Sequence, residues 1–149
     1  MAAPIVFATD FSPAAVDAQD WALRLCKQLG APLVIVHAWE LPSMMYGLDA
    51  AGAPTGTFLE TMGEQAKKAL DEHVRELLVE GLEVTGELRY GPAASQVCEV
   101  AKERNAQLII CGTHGRGGLG RALMGSVDTR VVHESNRPVL VVPAAKPTR

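Results

Sequence analysis

Between Gly112 and Gly125 the chain carries six glycines in fourteen residues, directly after the apolar run Leu108-Ile109-Ile110-Cys111. A short apolar run closed by glycine predicts a buried strand, so the segment reads as strand, glycine-rich loop and then helix. That order suits phosphate. Glycines let the backbone approach an anion with no Cβ in the way and accept positive φ where the loop curls. The N–H groups of the loop and of the following helix then converge on negative charge. Arg116 and Arg121 are the fixed positive charges of the stretch, and Arg116, set between the two nearest glycines, is the better candidate to meet a polyphosphate.

Two common phosphate motifs do not fit. A Walker loop ends in Gly-Lys-Ser/Thr, and the chain has no Gly-Lys pair. Gly115, Gly117 and Gly120 match G-x-G-x-x-G, but Gly125 interrupts the helix that should follow, and the next strand, Val139 to Val142, carries no carboxylate for a ribose. The alternative spacing is Gly112-x2-Gly115, nine residues, then Gly125-Ser126.

Strand and helix signals alternate along the whole chain. Ile5 to Ala8 predicts a first strand; Ser12 as N-cap and Pro13 at the first helical position predict a helix that Gly30 stops. Leu33 to Val36 predicts a second strand, followed by a long Gly/Pro/Ala-rich loop from about Glu40 to Gly56. Phe58, Met62, Ala66, Ala69, Leu70, Val74, Leu77 and Leu78 line one face of a second helix, with charged residues opposite and Gly81 at its end. Glu83 to Leu88 alternates like an edge strand. A third helix runs from Gly91-Pro92 to about Arg104, with Asn105 as a left-handed cap. Leu108 to Cys111, a fourth helix over about Ser126 to Ser135, and the strand Val139 to Val142 complete the pattern. Such alternation implies a parallel sheet with helices on both faces. The expectation is one domain over residues 1–149.

The residues also resemble a known family. Gly112-x2-Gly115-x9-Gly125-Ser126 is similar to the ATP-binding signature of the universal stress proteins. The likeness extends through Ile5-Val6-Phe7-Ala8-Thr9-Asp10-Phe11-Ser12, Val36-His37-Ala38, and Ser126-Val127 to Pro143. It implies an open, doubly wound sheet of five parallel strands in the order 3-2-1-4-5 with four helices, Rossmann- or flavodoxin-like. Ligands bind at the C-terminal ends of strands beside the switch in such sheets, here Asp10 and Gly112. By resemblance, Asp10 lies on the nucleoside side, although an Asx-turn is an alternative reading. Ala8 and Ala38 pack on or hydrogen-bond adenine through their backbone. Gly112 and Gly115 line the ribose and first phosphate, and Gly125 and Ser126 bind the outer phosphates. Thr113, His114, Arg116 and Val127 complete the implied set, His114 through its backbone. His37 and Cys111 read as core. Gln107 departs from the family pattern, where many members carry Asp before the fourth strand.

Composition narrows the function. Hydrophobic residues make up 48% and charged residues 21%, with a formal net charge of −3, so no basic footprint for nucleic acid is expected. No apolar stretch approaches the length of about 18 residues that a membrane span needs. Cys26, Cys98 and Cys111 sit in apolar patterns, as buried thiols of a reducing compartment do, and with no secretory signal the expected address is cytoplasmic. The resulting expectation is an ATP-binding stress-response or signalling switch, with or without Mg2+. It is expected to be a homodimer through the edge strand Val139, Leu140, Val141 and Val142. Two other classes compete: a slow ATP hydrolase or phosphotransferase, for which Asp10 and Asp128 are the nearest carboxylates, and a ligand-free dimeric interaction protein.

Overall fold

A computed structural model describes residues 2–41, 56–78, 81–113 and 126–145, with positions 57 and 126 described by backbone alone. The strands are β1 (Ile5–Ala8), β2 (Leu33–Trp39), β3 (Val84–Tyr90), β4 (Leu108–Gly112) and β5 (Val139–Val142). Among the described residues four α-helices alternate with them: α1 (Val16–Leu29), α2 (Gly56–Leu77), α3 (Ala93–Glu103) and α4 (Ser126–Glu134). The strands form one sheet in the order β3-β2-β1-β4-β5, and every pairing is parallel. The switch therefore falls between β1 and β4.

Alternation of side chains along buried strands divides the core in two. Ile5, Phe7, Leu33, Ile35 and Ile110 face α1 and α2 together with Ala18, Ala22, Cys26 and Leu70. Val6, Val34, Val36 and Ile109 face the other way, onto Val97, Val100 and Ala101 of α3 and Val131 of α4. Small residues set how close the layers come. A Cβ added at Gly86 of β3 would lie 2.9 Å from Val74 and 3.0 Å from Leu70, so α2 can sit on β3 only because that position has no side chain.

The element boundaries follow local chemistry. Gly30 takes φ +62 and its N–H returns to the Cys26 carbonyl, ending α1 as expected. Asn105 adopts φ +50, the left-handed cap its type allows. Helix α1 starts differently from expectation. Ser12 makes no side-chain cap, and Pro13–Ala15 form a single 3-10 turn before α-helical geometry begins at Val16. Strands β2 and β3 run past their expected ends, to Trp39 and Tyr90. There the two aromatic rings meet edge to face at 4.9 Å, a contact that periodicity does not report. The long loop expected from about Glu40 to Gly56 lies mostly outside the described residues.

The sheet is stepped. β1 pairs with β2 over Ile5–Ala8 against Leu33–Val36, whereas β2 continues beside β3 through His37, Ala38 and Trp39. β3 and β5 are the edges. β3 is covered with charge, Arg89 pairing with Glu103 and Arg104 with Glu87, as edges that avoid association often are. β5 is apolar, with Val139, Leu140 and Val141 half-buried. Among the described residues no helix is long and apolar enough to cross a membrane.

Candidate functional site

The exit from β1 is built by two short oxygen-bearing side chains. Thr9 continues the ladder through its N–H to Val36 O at 3.0 Å, and its Oγ1 accepts the N–H of Phe11 at 3.0 Å. Asp10 Oδ1 accepts the N–H of Ser12 at 2.9 Å, so the Asx-turn reading of this aspartate is realised. Between these turns Phe11 is held at φ +61, a conformation that bulky residues adopt only when their surroundings impose it. The surroundings here are aromatic: the Phe11 ring lies 4.4 Å from His37 and 5.4 Å, edge-on, from His73 of α2.

His37, expected in the core, is half-buried at the end of β2. Its Nδ1 lies 3.0 Å from the Thr9 carbonyl, and because a carbonyl only accepts, Nδ1 carries the proton. The strand outruns β1 at that point, which lifts the imidazole out of the sheet core. His73 Nε2 is buried without a hydrogen-bond partner. Burial pushes the His73 pKa below its ordinary 6.5, opposed in part by the nearby Glu76 carboxylate.

The end of β4 closes against the turn that precedes α1. An added Cβ at Gly112 would stand 3.1 Å from the Ala14 carbonyl oxygen and 3.7 Å from Ala18 Cβ. Thr113 follows, its N–H donating to Val142 O at 3.0 Å and its Oγ1 accepting the N–H of Ala144 at 3.4 Å. The Ala145 N–H then reaches Asp17 Oδ2 of α1 at 2.8 Å. Residues 144–145 thus cross the C-terminal end of the sheet toward α1 and leave the outer side of β5.

Of the residues expected at a ligand, Ala8, Asp10, Ala38, Gly112 and Thr113 come together at the C-terminal ends of β1, β2 and β4. Ala8 and Ala38 share the face of Val34 and Val36 by strand alternation. Ser126 begins α4, and the Val127 side chain is exposed, leaving its N–H in the first turn as the group available to an anion. His114, Gly115, Arg116 and Gly125 lie outside the described residues.

Phe11 and the buried, unpartnered Ser12 Oγ beside Asp10 were not legible as site chemistry, and of Asp128, named as a candidate carboxylate for hydrolysis, the burial was not. The pairing of Thr9 with Asp10 ahead of Ser-Pro is a turn signal that could have flagged the first two. Asp128 is 2% exposed, on the first turn of α4. Its charge helps raise the Cys111 thiol to about 12, although burial is the larger cause. Burial also lifts Cys26 to about 11. The three cysteines are free thiols, and these two are buried and inert toward nucleophilic chemistry, in keeping with their apolar patterning.

A doubly wound parallel sheet whose switch point falls between β1 and β4 defines a class of small α/β proteins that take ligands at their strand ends. The comparisons narrow the class. The model of the universal stress protein family matches residues 1–143, and the chain belongs to that family. A universal stress protein of Methanocaldococcus jannaschii is 33% identical over 144 residues, 95% of this chain and 82% of the relative. The structure of hypothetical protein MJ0577 superposes with a TM-score of 0.78 at 24% identity, covering 99% of this chain and all of that one (100%). A universal stress protein solved in complex with cAMP aligns with a TM-score of 0.60 at 25% identity, over 95% of this chain and 97% of its own.

Proposed function

We propose that this universal stress protein binds ATP, or another adenine nucleotide, in the crevice between β1 and β4 and acts as a nucleotide-dependent stress-response or signalling switch. One observation carries the reading. The two strands beside the switch end at Ala8, two residues before Asp10, and at Gly112, and the glycine-rich connection from Gly112 leads to the N-terminus of α4 at Ser126. The cAMP complex of a family member adds support from a related chain. In this reading Ala8, Asp10 and Ala38 meet the nucleoside, and Gly112, Thr113, His114, Gly115 and Arg116 follow the ribose and first phosphate. Gly125, Ser126 and Val127 receive the outer phosphates.

Binding fits better than turnover. Hydrolysis requires a group that orients water. Asp10 Oδ1 is engaged by the Ser12 N–H, and Asp128 is almost wholly buried. The cell compartment proposed is the cytoplasm, and the assembly a homodimer through β5. The test is direct. Heat-denatured protein should release an adenine nucleotide identifiable by mass spectrometry, and ligand-free protein should titrate with ATP. Gly115→Val with Gly125→Val should abolish that titration while helical content stays unchanged. A doubly substituted protein that binds ATP like the parent would overturn the assignment of the loop.

A further inference from the structure

His37 spends its contacts on another strand's exit. Its Nδ1–H donates to the Thr9 carbonyl at 3.0 Å, across 28 residues of chain, and its ring lies 4.4 Å from that of Phe11. Thr9 and Phe11 are the two residues that flank Asp10. A half-buried histidine needs one partner for its N–H. This one grips both neighbours of a single carboxylate.

The grip has a geometric consequence. A peptide group is planar, so fixing its oxygen also fixes the N–H and Cα that follow. The hydrogen bond from His37 to Thr9 O therefore orients the plane that enters Asp10. The plane that leaves Asp10 is fixed by the Phe11 N–H, which donates to Thr9 Oγ1 at 3.0 Å. With both planes held, φ and ψ of Asp10 have little freedom, and its Oδ1 accepts the Ser12 N–H at 2.9 Å. Phe11 completes the turn at φ +61, a strained value that its contact with the imidazole helps to impose. Beside His37 in β2 stands Ala38, the residue assigned with Asp10 to the nucleoside. One imidazole thus ties the exit of β1 to the end of β2.

We propose that His37 is a positioning residue for nucleotide recognition. Without touching the ligand, it holds the Asp10 carboxylate in register with the Ala38 backbone, at the spacing an adenine nucleoside requires. The inference rests on the nucleotide reading above and adds that the donor at Nδ1, rather than the bulk of the ring, carries the effect.

Three variants separate donor from bulk. His37→Asn places a carboxamide N–H where Nδ1 was, His37→Gln carries it one bond further out, and His37→Phe keeps a ring without the donor. Thermal melts come first; Gln and Phe both delete the contact, so misfolding of one leaves the other to report. Amide hydrogen exchange in the ligand-free protein, read by NMR at the Ser12 N–H, follows the turn, and calorimetric titration with ATP follows the site. The Ser12 amide should be protected alike in the parent and His37→Asn, and exchange about tenfold faster in His37→Gln and His37→Phe, the scale of one hydrogen bond. Those two should bind ATP about tenfold more weakly, and His37→Asn should bind like the parent. In an Asp10→Ala background the same substitutions should change ATP affinity no further, because their effect passes through Asp10.

Unchanged Ser12 exchange in His37→Gln and His37→Phe overturns the positioning role whether or not ATP binds. Unchanged ATP affinity in those variants, or losses that are equal with and without Asp10, overturn it as well. A loss in His37→Asn as large as in His37→Phe removes the donor from the account. A parent that does not titrate with ATP overturns the nucleotide reading and the recognition role with it, while Ser12 exchange still decides whether His37 holds the turn.

Discussion

Gly112 and Ala14 are in near contact: a methyl group added to the glycine would lie 3.1 Å from the alanine's carbonyl oxygen. The glycine that the phosphate reading assigns to a ligand is thus also the place where β4 and the approach to α1 close on each other. The two roles can be separated by size.

Gly112→Ala asks the neighbouring backbone to give by a few tenths of an ångström, and is expected to destabilise by about 1 kcal/mol. That corresponds to a fall in Tm of about 2–4 °C for a chain of this size. Gly112→Val should cost more. Calorimetric melts of the two variants check this order, and a valine variant as stable as the parent would show that the contact is slack.

Phe11 inverts the usual ranking of small substitutions. At φ +61 any residue with a Cβ is strained, by about 1–2 kcal/mol. Phe11→Ala keeps that strain and loses the ring's contacts with His37 and His73, whereas Phe11→Gly loses the contacts and relieves the strain. The glycine variant should therefore be the more stable of the two by about 1 kcal/mol. Chemical denaturation measures the difference directly, and an alanine variant equal to or better than the glycine one would remove the case for strain.

His73 makes stability depend on pH. Its folded-state pKa is lowered from 6.5, so between the two values the unfolded chain binds more protons than the folded one. Stability from this group is complete above the unfolded pKa and falls as pH drops through 6.5 toward the folded value. His73→Gln removes the term. From about pH 7.5 to about pH 5.5 the parent should lose more Tm than the variant does. Parallel losses would mean that His73 is solvated in the folded state.

The β5 edge predicts assembly. Among the described residues no strand pairs with its outer side, and residues 144–145 turn away toward Asp17. Pairing about a two-fold axis would close both edges at once. Light scattering should give a dimer for the parent and a monomer for Val141→Lys. A parent that is already monomeric at micromolar concentration would refute the interface.

The sheet was legible because its strands are short apolar runs separated by strong punctuation. Gly30 and Asn105 stop or cap elements as their backbone freedom allows, and Ile5–Ala8 and Val139–Val142 have the expected bounds. Strand order does not follow from periodicity and came through the family signature. His37 escaped because its neighbours Val36 and Ala38 look like strand interior. Its exposure depends on β1 ending first, which is a property of the pairing. The burial of Asp128 was hidden for a similar reason: a carboxylate in the first turn of a helix looks like a solvated dipole partner, and only the packing of α4 against α3 and β5 reveals otherwise.

Among the described residues, the stepped sheet leaves the end of β2 without a strand on its β1 side. The backbone groups of Val36 point toward β1, where its carbonyl receives Thr9, while the Trp39 carbonyl points the other way and receives Gly91. By alternation, the N–H and C=O of Ala38 point back to the β1 side, beyond the last rung of that ladder. A flat molecule sliding in beside Ala38 would take the place of the missing strand. It would have to offer one acceptor and one donor along a single rim, as the amide-like rim of a nucleobase does. A hydrocarbon ring of the same shape would leave both backbone groups unanswered.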